Sequence, residues 1–185
     1  MNPQQLRDDL RQGETAEMGR RRAIVGLSLV GMAAMTPVSL LQTGVVRHLP
    51  DPPVGGFNSD KANLSETAYK LGVPDGTLAL ASLAANVPLA AWGGRDRARH
   101  QPWVALVAAR KALADAVGAG GYFWQMASGK QPWCAYCITG ALANFGILAL
   151  AVPEAVTALR GLSSKGVQPQ ATPTHGRAPQ PAGAH

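Results

Sequence analysis

What most constrains this chain is where its charges are missing. No Asp, Glu, Lys or Arg occurs from Ala23 to Val46, from Gly76 to Trp92, or from Trp133 to Val152. Each run approaches or exceeds the roughly 20 mostly apolar residues that cross a bilayer as a helix. Pro37 and Pro88 fall inside two of them, which membrane helices tolerate better than soluble ones do. A further apolar stretch, Trp103 to Met126, is interrupted by Arg110, Lys111 and Asp115. Lys111 and Asp115 are four apart, so a helix sets them on one face as an ion pair. That pair is expected near the cytoplasmic side, too far from the cysteines discussed below to take part in their chemistry. The pattern predicts an all-α integral membrane protein built as a four-transmembrane-helix bundle.

The placement of the cations orients the bundle. Charged residues make up only 15% of the chain, against about 25% in an average soluble protein. The net charge of +6 would suit a nucleic-acid partner, but the basic residues crowd the ends of the apolar runs instead. Thirteen of the seventeen Lys and Arg lie before the first run, between the second and third or at the near end of the third (Arg110 and Lys111), or after the fourth. Arg47, Lys61, Lys70 and Lys130 lie on the other side. The positive-inside rule therefore puts both termini in the cytoplasm, with the lipid bilayer as partner and no nucleic acid. Residues 1–19 form a polar N-terminal segment and residues 20–160 the four-helix membrane domain. The Pro-, Gly-, Ala- and Gln-rich tail, 161–185, is expected to be disordered. The run after Arg22 is too long for the apolar region of a cleavable signal peptide. Trp92, Trp103, Trp124 and Trp133 fall near run ends, as interfacial anchors do.

The chain has two cysteines, Cys134 and Cys137, and they open the fourth run. Two cysteines cannot build a structural disulfide framework. His48, His100, His175 and His185 are scattered without ligand spacing, so no metal site is expected. Pro132 just before the pair is a helix-start signal, and i, i+3 spacing puts both sulfurs on one face. A thiol at a helix N-terminus meets the positive end of the dipole, which favours thiolate. Cys134, nearest that end, is expected to be the better-exposed nucleophile. Cys137 lies about a turn deeper, toward lipid and a lipid-soluble oxidant. The orientation puts both on the oxidising face, where a dithiol can exchange with exported proteins.

The stretch Trp133-Cys134-Ala135-Tyr136-Cys137-Ile138-Thr139-Gly140-Ala141-Leu142-Ala143-Asn144 resembles the site segment of the vitamin K epoxide reductase family. Leu71-Gly72-Val73-Pro74 is similar to that family's entry to its second span. The resemblance covers roughly Arg20 to Arg160. It implies a membrane thiol:quinone oxidoreductase, with ubiquinone or menaquinone as acceptor and a thioredoxin-like exported protein or a small thiol as donor. It implies a bacterial cytoplasmic membrane, with Cys134 facing the donor and Cys137 the quinone. Two departures stand out. The family usually carries a second cysteine pair in the loop after the first span. Here Val54 to Leu71 has none, and Ser59 stands roughly where one would be. Ala141 stands where animal members have a quinone-associated tyrosine, so quinone reduction is implied rather than epoxide reduction.

A quinone needs a flat apolar slot with one or two hydrogen-bond donors. Phe123, Trp124, Trp133 and Tyr136 cluster at the outer ends of the third and fourth runs and are expected to form it. Asn86 and Asn144, uncharged polar residues within runs, are candidate donors, although such residues more often join helices. The missing loop cysteines motivate a competing expectation, a non-catalytic membrane subunit or degenerate family member.

Overall fold

The structure is a computed structural model and describes residues 2–165. Four long helices dominate it: α2 (Ala16–Gln42), α4 (Asp75–Ala91), α6 (Pro102–Ala127) and α7 (Ala135–Lys165). Short elements join them: α1 (Pro3–Gln12), α3 (Ser59–Asn63), a 3-10 turn (Glu66–Tyr69) and α5 (Arg97–His100). No β-strand occurs among the described residues. The polar α1 buries no side chain, in keeping with its surface position.

The helices depart from the apolar runs at their ends, for local reasons. Thr15 starts α2 well before Ala23, because its hydroxyl accepts the Met18 N–H. The helix stops at Gln42, ahead of Gly44, whose φ of +79° a side-chain-bearing residue would resist. The charged run forms one unbroken helix, α6, with Pro102 at its first turn. The last helix runs beyond the end of its uncharged run at Val152. Pro153 lies inside α7, and the next residue, Glu154, is buried against Arg97. Helix α7 also takes in the first five residues of the segment expected to be a disordered tail; the rest of that segment lies outside the described residues.

Helix α2 packs against α4 on one side and α7 on the other, and α7 packs against α6. Small residues allow the close approach. A Cβ on Gly31 would come within 2.9 Å of the Leu83 side chain and 3.3 Å of the Ala143 methyl, so side chains of α4 and α7 pack directly onto the backbone of α2 there. Met35, Val38, Leu83 and Ile147 fill the centre. Helices α4 and α6 approach each other less closely, meeting through side chains at Ser82, Asn86, Lys111 and Asp115, and the bundle opens between them. Outside, Leu29, Val30, Val107, Val117 and Leu142 are exposed, an apolar surface suited to lipid rather than water. By length and hydropathy, α2 and α7 qualify as membrane-crossing helices.

Candidate functional site

The loop between α2 and α4 folds back over the start of α7. Phe57 and Trp133 form a β-bridge, with Asn58 N–H donating to Trp133 O and Trp133 N–H to Gly56 O, each at 2.9 Å. Asp51 accepts the Ser59 N–H at 2.8 Å and the Ser59 hydroxyl at 2.5 Å, fixing the start of α3. Asp60 accepts from Leu49 N–H and contacts His48 Nδ1, both at 2.9 Å. Partial burial pushes the Asp60 carboxyl up, but the hydrogen bonds from His48 and Leu49 outweigh it and hold the group below its ordinary value. Tyr136 donates its hydroxyl to Pro50 O at 3.0 Å. The loop is thus tied to the dithiol segment along most of its length.

Cys134 immediately precedes α7 and caps it. Its carbonyl accepts the Ile138 N–H at 3.0 Å, and its sulfur accepts the Cys137 N–H at 3.1 Å. Cys134 and Cys137 are joined as a disulfide, with Cα atoms 5.2 Å apart. Asn63, the last residue of α3, reaches both sulfurs. Its Nδ2 donates to Cys134 Sγ at 3.3 Å, and its Oδ1 lies 3.4 Å from Cys137 Sγ.

Exposure corrects one expectation. Cys134 is completely buried, and Cys137 is the partly open member of the pair. The loop causes this, because α3 and the Phe57–Trp133 bridge lie over the helix start, where the sequence shows only a polar connection.

Cys137 opens into an apolar cavity of about 440 Å³ where α4 and α6 part. Val38, Ala79, Met126 and Ala141 contribute apolar walls. Asn63, Asp75, Ser82, Asp115 and Tyr122 supply polar groups. Lys111 and Asp115 form the expected ion pair, at 2.6 Å. Lys111 also donates to Ser82 O, Ser82 Oγ and Asn86 Oδ1 at 2.7–2.9 Å. Of this pair, Asp115 lines the cavity into which Cys137 opens, and Lys111 does not.

The expected aromatic slot lies elsewhere. Phe123 and Trp133 stack edge to face, with ring centroids 5.9 Å apart, but neither lines the cavity. Trp124 is largely exposed, and Tyr136 is turned to the loop. Asn86 is held by Lys111, and Asn144 keeps an unpartnered carbonyl oxygen away from the cavity. The cavity forms instead where small residues, Gly118 and Ala119 of α6 and Gly140 and Ala141 of α7, leave room. Nothing local in the sequence marks Asn63, because its contacts with the sulfurs depend on the loop folding back.

The model of the vitamin K epoxide reductase family matches residues 22–152. The chain belongs to that family. No curated protein and no solved structure matches it. The match spans α2 through most of α7, and so contains the cysteine pair and every wall of the cavity. Membership in the vitamin K epoxide reductase family implies a membrane oxidoreductase, and the bonded Cys134–Cys137 pair fits the dithiol such an activity needs.

Proposed function

We propose that the protein is a thiol:quinone oxidoreductase of a bacterial cytoplasmic membrane, passing electrons from a thiol donor through Cys134 and Cys137 to ubiquinone or menaquinone. The observation that carries this reading is the cavity at Cys137. Its volume lies within the range of about 300–1,000 Å³ usual for small-molecule sites, and it is apolar with a few convergent polar groups. It opens between helices that have an apolar outer surface, a route for a lipid-soluble ligand.

The chemistry balances as follows. The reduced pair closes to a disulfide and gives up two electrons, which with two protons convert a quinone to its hydroquinone. Cys137 is the sulfur that can touch a ring in the cavity. Asn63 and Tyr122 offer polar groups at its walls, and Tyr122 brings a hydroxyl into a cavity where Ala141 has none. On this reading α2, α4, α6 and α7 are the four spans, both termini are cytoplasmic, and the pair lies on the extracytoplasmic side. Exported proteins would then gain disulfides through a thioredoxin-like donor or a small thiol that the chain reoxidises. Purified protein given a dithiol should reduce ubiquinone or menaquinone, and Cys137→Ala should abolish turnover. Wild-type protein without quinone-dependent thiol oxidation would refute the reading.

The burial of Cys134 beneath a loop without cysteines favours a second reading, a membrane subunit in which the pair only braces the loop. Under it, replacing both cysteines by serine leaves disulfide formation in exported proteins unchanged.

A further inference from the structure

We propose that Asn63 fixes the protonation order of the reduced pair, holding Cys134 as the thiolate and Cys137 as the thiol. This rests on reading the pair as a working dithiol, but not on the identity of its acceptor. The argument begins with the amide of Asn63. Its Nδ2 donates to Ser59 O at 2.7 Å as well as facing Cys134. A backbone carbonyl only accepts, so the NH2 group must lie on that side, and the amide cannot be flipped. The Asn63 carbonyl oxygen is thereby turned to Cys137. Gln42 holds the residue from behind, its Nε2 donating to Asn63 O at 3.0 Å and to Asp75 Oδ1 at 2.6 Å.

The two sulfurs consequently sit in opposite fields. Cys134 Sγ faces two N–H donors, from Asn63 and from the Cys137 backbone, at the N-terminus of a long helix. These are the surroundings that stabilise a buried thiolate. Cys137 Sγ faces a carbonyl oxygen, which welcomes an S–H donor and repels a thiolate. Asp51, Asp60 and His48 of the loop, Asp75 of α4, and Tyr122 and Asp115 of α6 are the titratable groups on the surrounding elements. None of them hydrogen-bonds to either sulfur among the described residues. When the thiol donor reduces the disulfide, the S–S bond takes two electrons. The donor's two thiols close to a disulfide and release two protons; one goes to Cys137, the other to solvent, and Cys134 keeps its electron pair as the anion. One neutral amide thus meets both sulfurs and adds to the helix N-terminus at Cys134.

The test follows the ultraviolet absorbance of thiolate in the reduced full-length protein across pH, with no quinone present. Cys137→Ser should keep a thiolate that titrates below the ordinary cysteine range, and Cys134→Ser should lose it. Losing the donor in Asn63→Leu should raise the midpoint by about one pH unit or more, the worth of one hydrogen bond to a charged group. The potential of the pair should fall with pH as one proton per two electrons in the wild type, and as two per two electrons in Asn63→Leu at the same pH. If Asn63→Leu does not fold, Asn63→Asp decides, because a carboxylate against Cys134 must also raise the midpoint. An unmoved midpoint in the folded variant, or a low-titrating thiolate that belongs to Cys137, overturns the proposal. Failure of quinone turnover with these titrations intact would overturn the proposed function and leave this ordering standing.

Discussion

The end of α4 is closed by two buried arginines, and removing one gives a worked stability test. Arg21 of α2 donates to the carbonyls of Ala90, Trp92, Gly93 and Gly94 at 2.7–3.0 Å. Arg97 of α5 donates to Leu89 O and to Trp92 O, and meets both oxygens of Glu154 at 2.5 and 2.8 Å. Its side chain is 1% exposed and that of Glu154 7%. The clamp satisfies the free carbonyls of the helix end and ties α2, α4, α5 and α7 together. Arg97→Ala strands a buried carboxylate, a loss of about 3–5 kcal/mol. At about 2–4 °C per kcal/mol for a chain of this size, the midpoint of thermal unfolding should drop by roughly 6–20 °C. Arg97→Leu with Glu154→Leu removes the stranded charge and leaves mainly the Leu89 carbonyl without a donor. That pair should cost only about 1–3 kcal/mol. Thermal unfolding in detergent, followed by tryptophan fluorescence at the nearby Trp92–Trp103 pair, reads both variants. If the double variant melts at or below Arg97→Ala, the carboxylate is not what the single substitution exposes, and the reasoning fails.

Other outcomes follow from the same contacts. Gly31→Val should lower the melting temperature sharply, because its side chain would meet Leu83 and Ala143 where α2, α4 and α7 converge; an unchanged melting point would refute the close approach. Tyr122→Phe should raise the quinone KM several-fold with little change in thiol reactivity, as measured by steady-state kinetics. Tyr136→Phe, which frees Pro50 O, should speed alkylation of Cys134 in the reduced protein up to about tenfold, the worth of one hydrogen bond that keeps the loop closed. Asp60 binds its proton less readily in the folded loop than its ordinary value of 3.8 allows. The stability it contributes is therefore full above that value and is lost only as pH falls through the depressed one. The protection factor of the Leu49 amide against hydrogen exchange should stay flat near neutrality and fall only in strong acid, and Asp60→Asn should remove that acid limb.

How much of this was legible in the sequence follows from what sets each feature. Helices α2 and α7 were visible because spans are written as long uncharged runs, a local property. The helix end at Gln42 and the passage of α7 through Pro153 depend on Gly44 and on the buried Arg97–Glu154 pair, of which only the glycine is local. The cysteine pair was legible because spacing and helix start coincide. Its burial was not, because α3 covers it from a loop some seventy residues earlier in the chain. The aromatic residues drew attention as bulky groups near the pair. The cavity lies instead where side chains are small, at Gly118, Ala119, Gly140 and Ala141. Large residues fill space and small ones leave it, and none of the four aromatic side chains near the pair lines the cavity.

The absence of loop cysteines and the burial of Cys134 belong to one arrangement. A relay pair in this loop would have to swing away to collect electrons and return to deliver them, which needs a loop free to move. Here the loop is fastened through Phe57, Ser59, Asp60 and Pro50, and it carries Asn63 directly onto the sulfurs. A segment that holds the pair's environment fixed cannot also act as a mobile shuttle. The fixed loop leaves Cys134 buried and Cys137 open toward the cavity. On the proposed function, donor and acceptor meet different obstacles: an acceptor in the cavity finds the partly open Cys137, whereas a thiol donor aimed at Cys134 must first displace the loop. On the proposed function, reduction of the disulfide rather than its re-formation limits the cycle, and the strength of the loop's anchors sets that rate.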